Sequence, residues 1–179
     1  SQSSKKGIIE EFGCLEETIT VINNGLDTDE FAPVELSTRD PFRLITTASA
    51  DVPLKGLDYS LKALKQLKKE FPKIHLIVIG KMKEGGHTQR LIQKLNISDS
   101  VFFKSNLSKN DIKHLYSTSS IAIVSSLYEG FGYPVIEAMS CQVPLIATNV
   151  SSIPELTLDH ATLISPKDAN AIEKNVKEI

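Results

Sequence analysis

SIAIVSSLYEGFGYPVIEAMSCQVPLIATN, residues 120–149, holds an apolar run, a glycine-rich turn, a short helical stretch and a second apolar run. The two runs, SIAIVSS (120–126) and VPLIATN (143–149), are apolar on consecutive positions, the pattern of strands covered on both faces. Between them Gly130 and Gly132 let the backbone turn tightly, and Pro134 suits the first position of a helix that runs through about Cys141. Strand, helix and strand in that order form a parallel, right-handed βαβ unit.

The alternation extends outward from there. FRLITTAS (42–49), HLIVIG (75–80) and SVFFKS (100–105) have the same strand character, and ATLISP (161–166) is a candidate sixth strand. Leu57, Leu61, Leu64, Leu67 and Phe71 recur at helical spacing with Asp58 as the expected N-cap. TQRLIQKL predicts a second helix. SKNDIKHLYSTS predicts a third, in which Ser108 and Asp111 have the spacing of a capping box. The fold expected is α/β: a Rossmann-like, doubly wound parallel sheet of about six strands, with ligands outside the carboxyl ends of the strands.

Residues 1–40 differ from this pattern. They offer a helix (KKGIIEEF), a short apolar run expected as a strand (TITVI), a turn at Asn24-Gly25 and a stop at Pro33, and they are assigned as a connecting segment. Residues 41–179 form the expected domain, whose last helix, DANAIEKNVKEI, ends with the chain as if cut from a longer protein. A net charge of -2 supplies no field for a nucleic-acid backbone, so nucleic acid is not an expected partner. No apolar stretch reaches the roughly 20 residues of a membrane span, and the expected setting is cytoplasmic. Cys14 and Cys141 lie far apart, and His75, His87, His114 and His160 lack ligand spacing, so neither a disulfide framework nor a metal is implied.

The chemistry concentrates at the opening stretch. Free N–H groups at a helix start, together with the helix dipole, favour an anion such as a phosphate. Glu129 precedes the turn, and Glu137 is expected on the first helical turn, tilted back toward the same pocket. Carboxylates accept hydrogen bonds, so beside a phosphate they would hold hydroxyls, as on a ligand carrying both phosphate and sugar. The plainer alternative is that Glu137 only answers the helix dipole and the glycines only make a turn. Lys55 and Gly56, at the entrance to the first crossover helix, add a cation on the same sheet edge.

E-G-F-G-Y-P-V-I-E-A-M, residues 129–139, resembles the E-x7-E signature of retaining glycosyltransferases of the large GT4 family, which have GT-B architecture. VINNGLDTDEF resembles that family's interdomain link, PLKGLDYSLKAL its K-G helix entry, HLIVIG its strand and glycine, and VPLIATNVSSIPEL its closing motif. The resemblance implies the C-terminal, nucleotide-sugar-binding half of such an enzyme, without the acceptor domain. It implies that Lys55 contacts the donor diphosphate, that Gly56 opens that site, that Gly130, Phe131, Gly132 and Tyr133 hold phosphate and sugar through their backbone, and that Glu137 binds the ribose. Glu129 is implied as the catalytic-site carboxylate, in donor positioning and electrostatic help and not as a nucleophile. Gly80, Lys81, Ser105 and Leu107 are placed near the nucleoside. The implied donor is an NDP-sugar, UDP- or GDP-linked, with no metal or other cofactor. The implied acceptor is a saccharide or lipid-linked sugar, and the full-length protein would sit at the inner face of a membrane.

One departure bears on this. Family members usually carry an arginine five residues before the lysine, where this chain has Ala50. A related GT-B epimerase or phosphorylase, or a non-catalytic domain with a decayed donor site, are the alternatives.

Overall fold

The computed structural model describes residues 1–35 and 37–179. Six parallel strands make one sheet: β1 (Asp40–Thr47), β2 (His75–Ile79), β3 (Val101–Lys104), β4 (Ser119–Val124), β5 (Leu145–Thr148) and β6 (Thr162–Ile164), in the order β3-β2-β1-β4-β5-β6. Among the described residues seven α-helices accompany them: α1 (Gln2–Phe12), α2 (Leu57–Leu67), α3 (His87–Leu95), α4 (Lys109–Ser117), α5 (Tyr133–Ser140), α6 (Ile153–Thr157) and α7 (Ala169–Glu178). The doubly wound sheet expected from the alternating pattern is therefore the fold. No helix among the described residues is long and apolar enough to cross a membrane.

Both faces of the sheet are covered, which is why its strands are apolar on consecutive positions. Leu44, Leu76, Ile123 and Ile146 point to one layer, where α2, α3 and α7 bring Leu61, Leu64, Ile92 and Ile172. Ile45, Ile77, Ala122, Val124 and Leu145 point to the other, where α4, α5 and α6 bring Tyr116, Val135, Ala138 and Ile153. Each fully buried aliphatic side chain stabilises the fold by about 1.5–3 kcal/mol. A one-residue slip of any strand would exchange its two faces.

Several local expectations are corrected. α2 is capped by Gly56, not Asp58, because a 3-10 turn over Pro53–Lys55 ends at Gly56 in the left-handed region (φ 62°) and the helix starts at once. TITVI joins no strand: a 3-10 turn covers Glu16–Thr18, and Ile22 is 86% exposed. The turn expected at Asn24-Gly25 lies a few residues later. There the Asp27 carboxylate accepts from the N–H groups of Asp29 and Glu30, and the N–H of Phe31 donates to the Asp27 carbonyl. α5 begins at Tyr133, one residue before Pro134.

Candidate functional site

β1 and β4 are neighbours, yet the chain leaves them for opposite ends of the sheet, so their carboxyl ends flank the topological switch point. Two loops meet there, one entering α2 and one entering α5. The Leu127 N–H donates to the Leu54 carbonyl at 2.7 Å. Ser60 and Ser125 share a hydroxyl contact of 2.9 Å, and the Ser125 hydroxyl donates to the Gly56 carbonyl at 3.0 Å. The approach is so close that a Cβ on Gly56 would lie 1.9 Å from the Ser125 carbonyl oxygen. Beneath the second loop, the buried Ser152 hydroxyl lies 2.6 Å from the Phe131 carbonyl and 3.0 Å from that of Glu129, while Thr148 donates to the Ser126 carbonyl.

These contacts bring Lys55 and Glu129 together. Lys55 Nζ lies 2.7 Å from Glu129 Oε1, and the Ser126 hydroxyl donates to the same oxygen at 2.7 Å. Glu129 is only 7% exposed, so this ion pair and the Ser126 hydroxyl satisfy a carboxylate that burial would otherwise penalise. Gly56 and Gly132 are buried and both left-handed, with φ 62° and 107°. Tyr133 is exposed and meets Phe131 edge to face, ring centres 5.1 Å apart.

Glu137 stands apart from that pair. The expectation that it sits on the first turn of α5 is corrected: the helix starts at Tyr133, its first turn holds no acidic residue, and Glu137 is its fifth position. The dipole explanation for Glu137 falls with it, since that effect is confined to the first turn. Its half-buried carboxylate receives the Tyr116 hydroxyl at 3.4 Å, and Tyr116 in turn meets Thr47, the last residue of β1, at 3.0 Å. Desolvation raises the Glu137 pKa above the ordinary carboxyl range, and the Tyr116 hydrogen bond opposes that rise.

The helix starts along this sheet edge fall into two groups. α3 is closed by Asp51, whose carboxylate accepts from the N–H groups of His87 (3.2 Å) and Thr88 (2.8 Å). α4 carries the expected capping box between Ser108 and Asp111. α2 and α5, which flank the switch point, have no side-chain cap and start instead from left-handed glycines. No protein acceptor takes the N–H of Gly130, Phe131, Gly132 or Tyr133 among the described residues. Short α6 lacks a side-chain cap as well.

Gly80, Lys81, Ser105 and Leu107 stand beyond the ends of β2 and β3, on the far side of β1 from α5. Gly80 packs so closely that a Cβ would lie 2.2 Å from the Ala48 carbonyl oxygen. Lys81 and Ser105 are exposed and Leu107 is half-buried. A cavity of about 330 Å³ opens between the starts of α2 and α3, lined by Asp51, Gly56, Asp58 and His87 among others, without Lys55, Glu129 or Glu137 in its wall. At its rim His87 Nε2 lies 2.7 Å from the Asp58 carboxylate.

Ser125, Ser126, Thr148 and Ser152, which shape these loops, and Thr47, which holds Tyr116, are not among the residues expected from sequence. For Thr47, Ser125, Ser126 and Thr148 the signal was a hydroxyl at or just after the carboxyl end of a strand, recurring in β1, β4 and β5; Ser152, at the start of α6, carried no such signal.

The family model described as Glycosyl transferases group 1 matches residues 29–179. The MMP alpha-(1->4)-mannosyltransferase of Mycolicibacterium hassiacum is 35% identical over 175 residues, covering 96% of this chain and 42% of that protein. The O-antigen chain mannosyltransferase RfbU of Salmonella typhimurium is 26% identical over 179 residues, 100% of this chain and 49% of its own length. The chain thus spans about half the length of these curated relatives. Anabaena Alr3699/HepE, solved in complex with UDP and glucose, matches with a TM-score of 0.83 at 22% identity, over 99% of this chain and 51% of its own. The C-terminal domain of LpcC from Francisella tularensis matches with a TM-score of 0.73 at 24% identity, over 86% and 87%. At those identities the likeness is one of fold.

Proposed function

The chain belongs to the glycosyl transferases group 1 family, and from that premise we propose that its switch-point site binds a nucleoside-diphosphate sugar, UDP- or GDP-linked. In the whole protein the sugar passes to a saccharide or lipid-linked acceptor with retention of configuration. Residues 1–40 connect to an acceptor domain outside this chain, and residues 41–179 form the donor half. Polysaccharide or glycolipid assembly at the cytoplasmic face of a membrane is the setting, and the mannosyltransferase names of the relatives support the sugar transfer itself.

The observation that carries this is the pair of uncapped helix starts at the switch point with Lys55 between them. A diphosphate seated there meets two dipole ends and one ammonium. As the bond from sugar to phosphate breaks, charge gathers on the departing diphosphate, and the same groups stabilise it without a metal. Glu129 spends Oε1 on Lys55 and Ser126, so Oε2 serves the hydroxyls of the sugar. Glu137 takes the ribose, and Gly80, Lys81, Ser105 and Leu107 border the base. The donor half alone turns over poorly, because the cleft closes between two domains.

Calorimetric titration with UDP, GDP and ADP tests the site. One of them saturates it, and Lys55→Ala weakens that binding by about 10-fold or more, the loss of a hydrogen bond to a charged group. Unchanged affinity removes Lys55 from the site.

Ala50 favours a second reading, a decayed site. The one lysine at the diphosphate position has no arginine beside it and is engaged by Glu129. That reading predicts that none of the three nucleotides binds, even in the full-length protein.

A further inference from the structure

We propose that Tyr116 is a positioning residue of the donor site: its hydroxyl, held by Thr47 at the end of β1, fixes the Glu137 carboxylate for the ribose hydroxyls of the ligand. The inference rests on the donor-site reading above and extends it to two residues outside the glycine-rich turn.

Tyr116 is among the largest fully buried side chains of the molecule, at 1% exposure in the layer beneath α5. A phenylalanine would fill the same space, so the hydroxyl is the part that needs a reason, and a buried hydroxyl needs partners. It has two, Thr47 Oγ1 at 3.0 Å and Glu137 Oε2 at 3.4 Å. Burial holds the phenol far above its ordinary pKa, so it stays protonated and can donate. Glu137, as a carboxylate, only accepts, which fixes the order: Thr47 donates to Tyr116 and Tyr116 donates to Glu137. The chain of hydroxyls runs from the carboxyl end of β1, across the face of the sheet, to α5. Each bond polarises the next, so Thr47 acts on Glu137 through Tyr116.

Few other charges reach Glu137. Cys141, at the end of the same helix, is held neutral by burial, its pKa pushed up to about 11. Lys113 from α4 and Arg39 from the segment before β1 act on Cys141. Among the described residues, the hydrogen bond to the Glu137 carboxylate comes from Tyr116.

The test uses the full-length protein and titrates UDP and GDP between pH 5 and 8. Tyr116→Phe keeps the volume and weakens nucleotide binding by about 2- to 10-fold at neutral pH, the range of one ordinary hydrogen bond. The loss grows as pH falls, because a carboxylate without its donor takes up a proton at higher pH. Thr47→Val shifts the profile in the same direction by less, and Thr47→Ser, which keeps the hydroxyl, restores it. A Tyr116→Phe protein with the wild-type affinity and pH profile overturns the inference. Unfolding measured without ligand separates it from the donor reading: Tyr116→Phe changes stability differently in wild-type and Glu137→Gln backgrounds. Equal changes in both overturn the coupling. A coupling that persists in a protein that binds no nucleotide keeps the Tyr116–Glu137 contact but overturns the donor reading, and with it the ribose role of that contact.

Discussion

α3 and α5 begin on the same edge of one sheet, each after a glycine, and their starts are finished in opposite ways. At α3 the Asp51 carboxylate accepts the first two N–H groups, so the positive end of the helix is answered from within the protein. At α5 the turn from Gly130 to Tyr133 leaves its N–H groups without a protein acceptor among the described residues. A helix start is therefore not a site by its dipole alone. What distinguishes α5, and α2 beside it, is that a start without a side-chain cap among the described residues coincides with the point where the strand order reverses. Asp51 at the α3 start and Glu137 at the fifth position of α5 also differ. The N–H groups and hydroxyl around Asp51 hold its pKa below the ordinary value, chiefly through Thr88, whereas desolvation lifts that of Glu137.

The largest effect comes from breaking the loop contact that keeps α2 open toward α5. Gly56→Ala places a Cβ 1.9 Å from the Ser125 carbonyl oxygen and forces a left-handed alanine. Strain and overpacking together cost about 2–5 kcal/mol, measured by urea unfolding. A loss below about 1 kcal/mol would show that the two loops part easily. Asp51→Ala has a smaller effect and a contrasting one. It exposes the start of α3 and lowers the melting temperature, yet leaves nucleotide affinity where it was. If affinity falls with it, the α3 start belongs to the binding surface and the contrast between the two helices fails.

Much of this was legible in the sequence because it depends on local chemistry. Consecutive apolar residues such as those of SIAIVSS announce a buried parallel strand, and the Ser108–Asp111 spacing announces a cap; both are short-range rules. Lys55 and Glu129 were legible as an edge pair because both follow strands of one parallel sheet, although their ion pair requires β1 and β4 to be neighbours. The Tyr116 contact was not legible. It joins β1, α4 and α5, and helical spacing marks Tyr116 only as an apolar position. TITVI failed for the opposite reason: its β propensity is real, but among the described residues no strand pairs with it, and propensity yields to partners.

The smallest effect separates the two carboxylates by pH. Asp51 has a depressed folded pKa, so its contribution to stability is present above the ordinary aspartate pKa and is lost as pH falls through the folded value. Glu137 has a raised folded pKa, so its charge opposes folding above that value, and the opposition fades as pH falls toward the ordinary glutamate pKa. Glu137→Gln removes that charge. Its melting temperature should therefore match or slightly exceed the wild type at neutral pH, with the gap closing on acidification, while nucleotide affinity drops and becomes less dependent on pH. A protein keeps a desolvated carboxylate at a cost to stability only where something else needs the charge. If Glu137→Gln proves both less stable and equally able to bind nucleotide, the residue is part of the packing beneath α5, and the ribose contact has to be sought among the groups at the ends of β2 and β3.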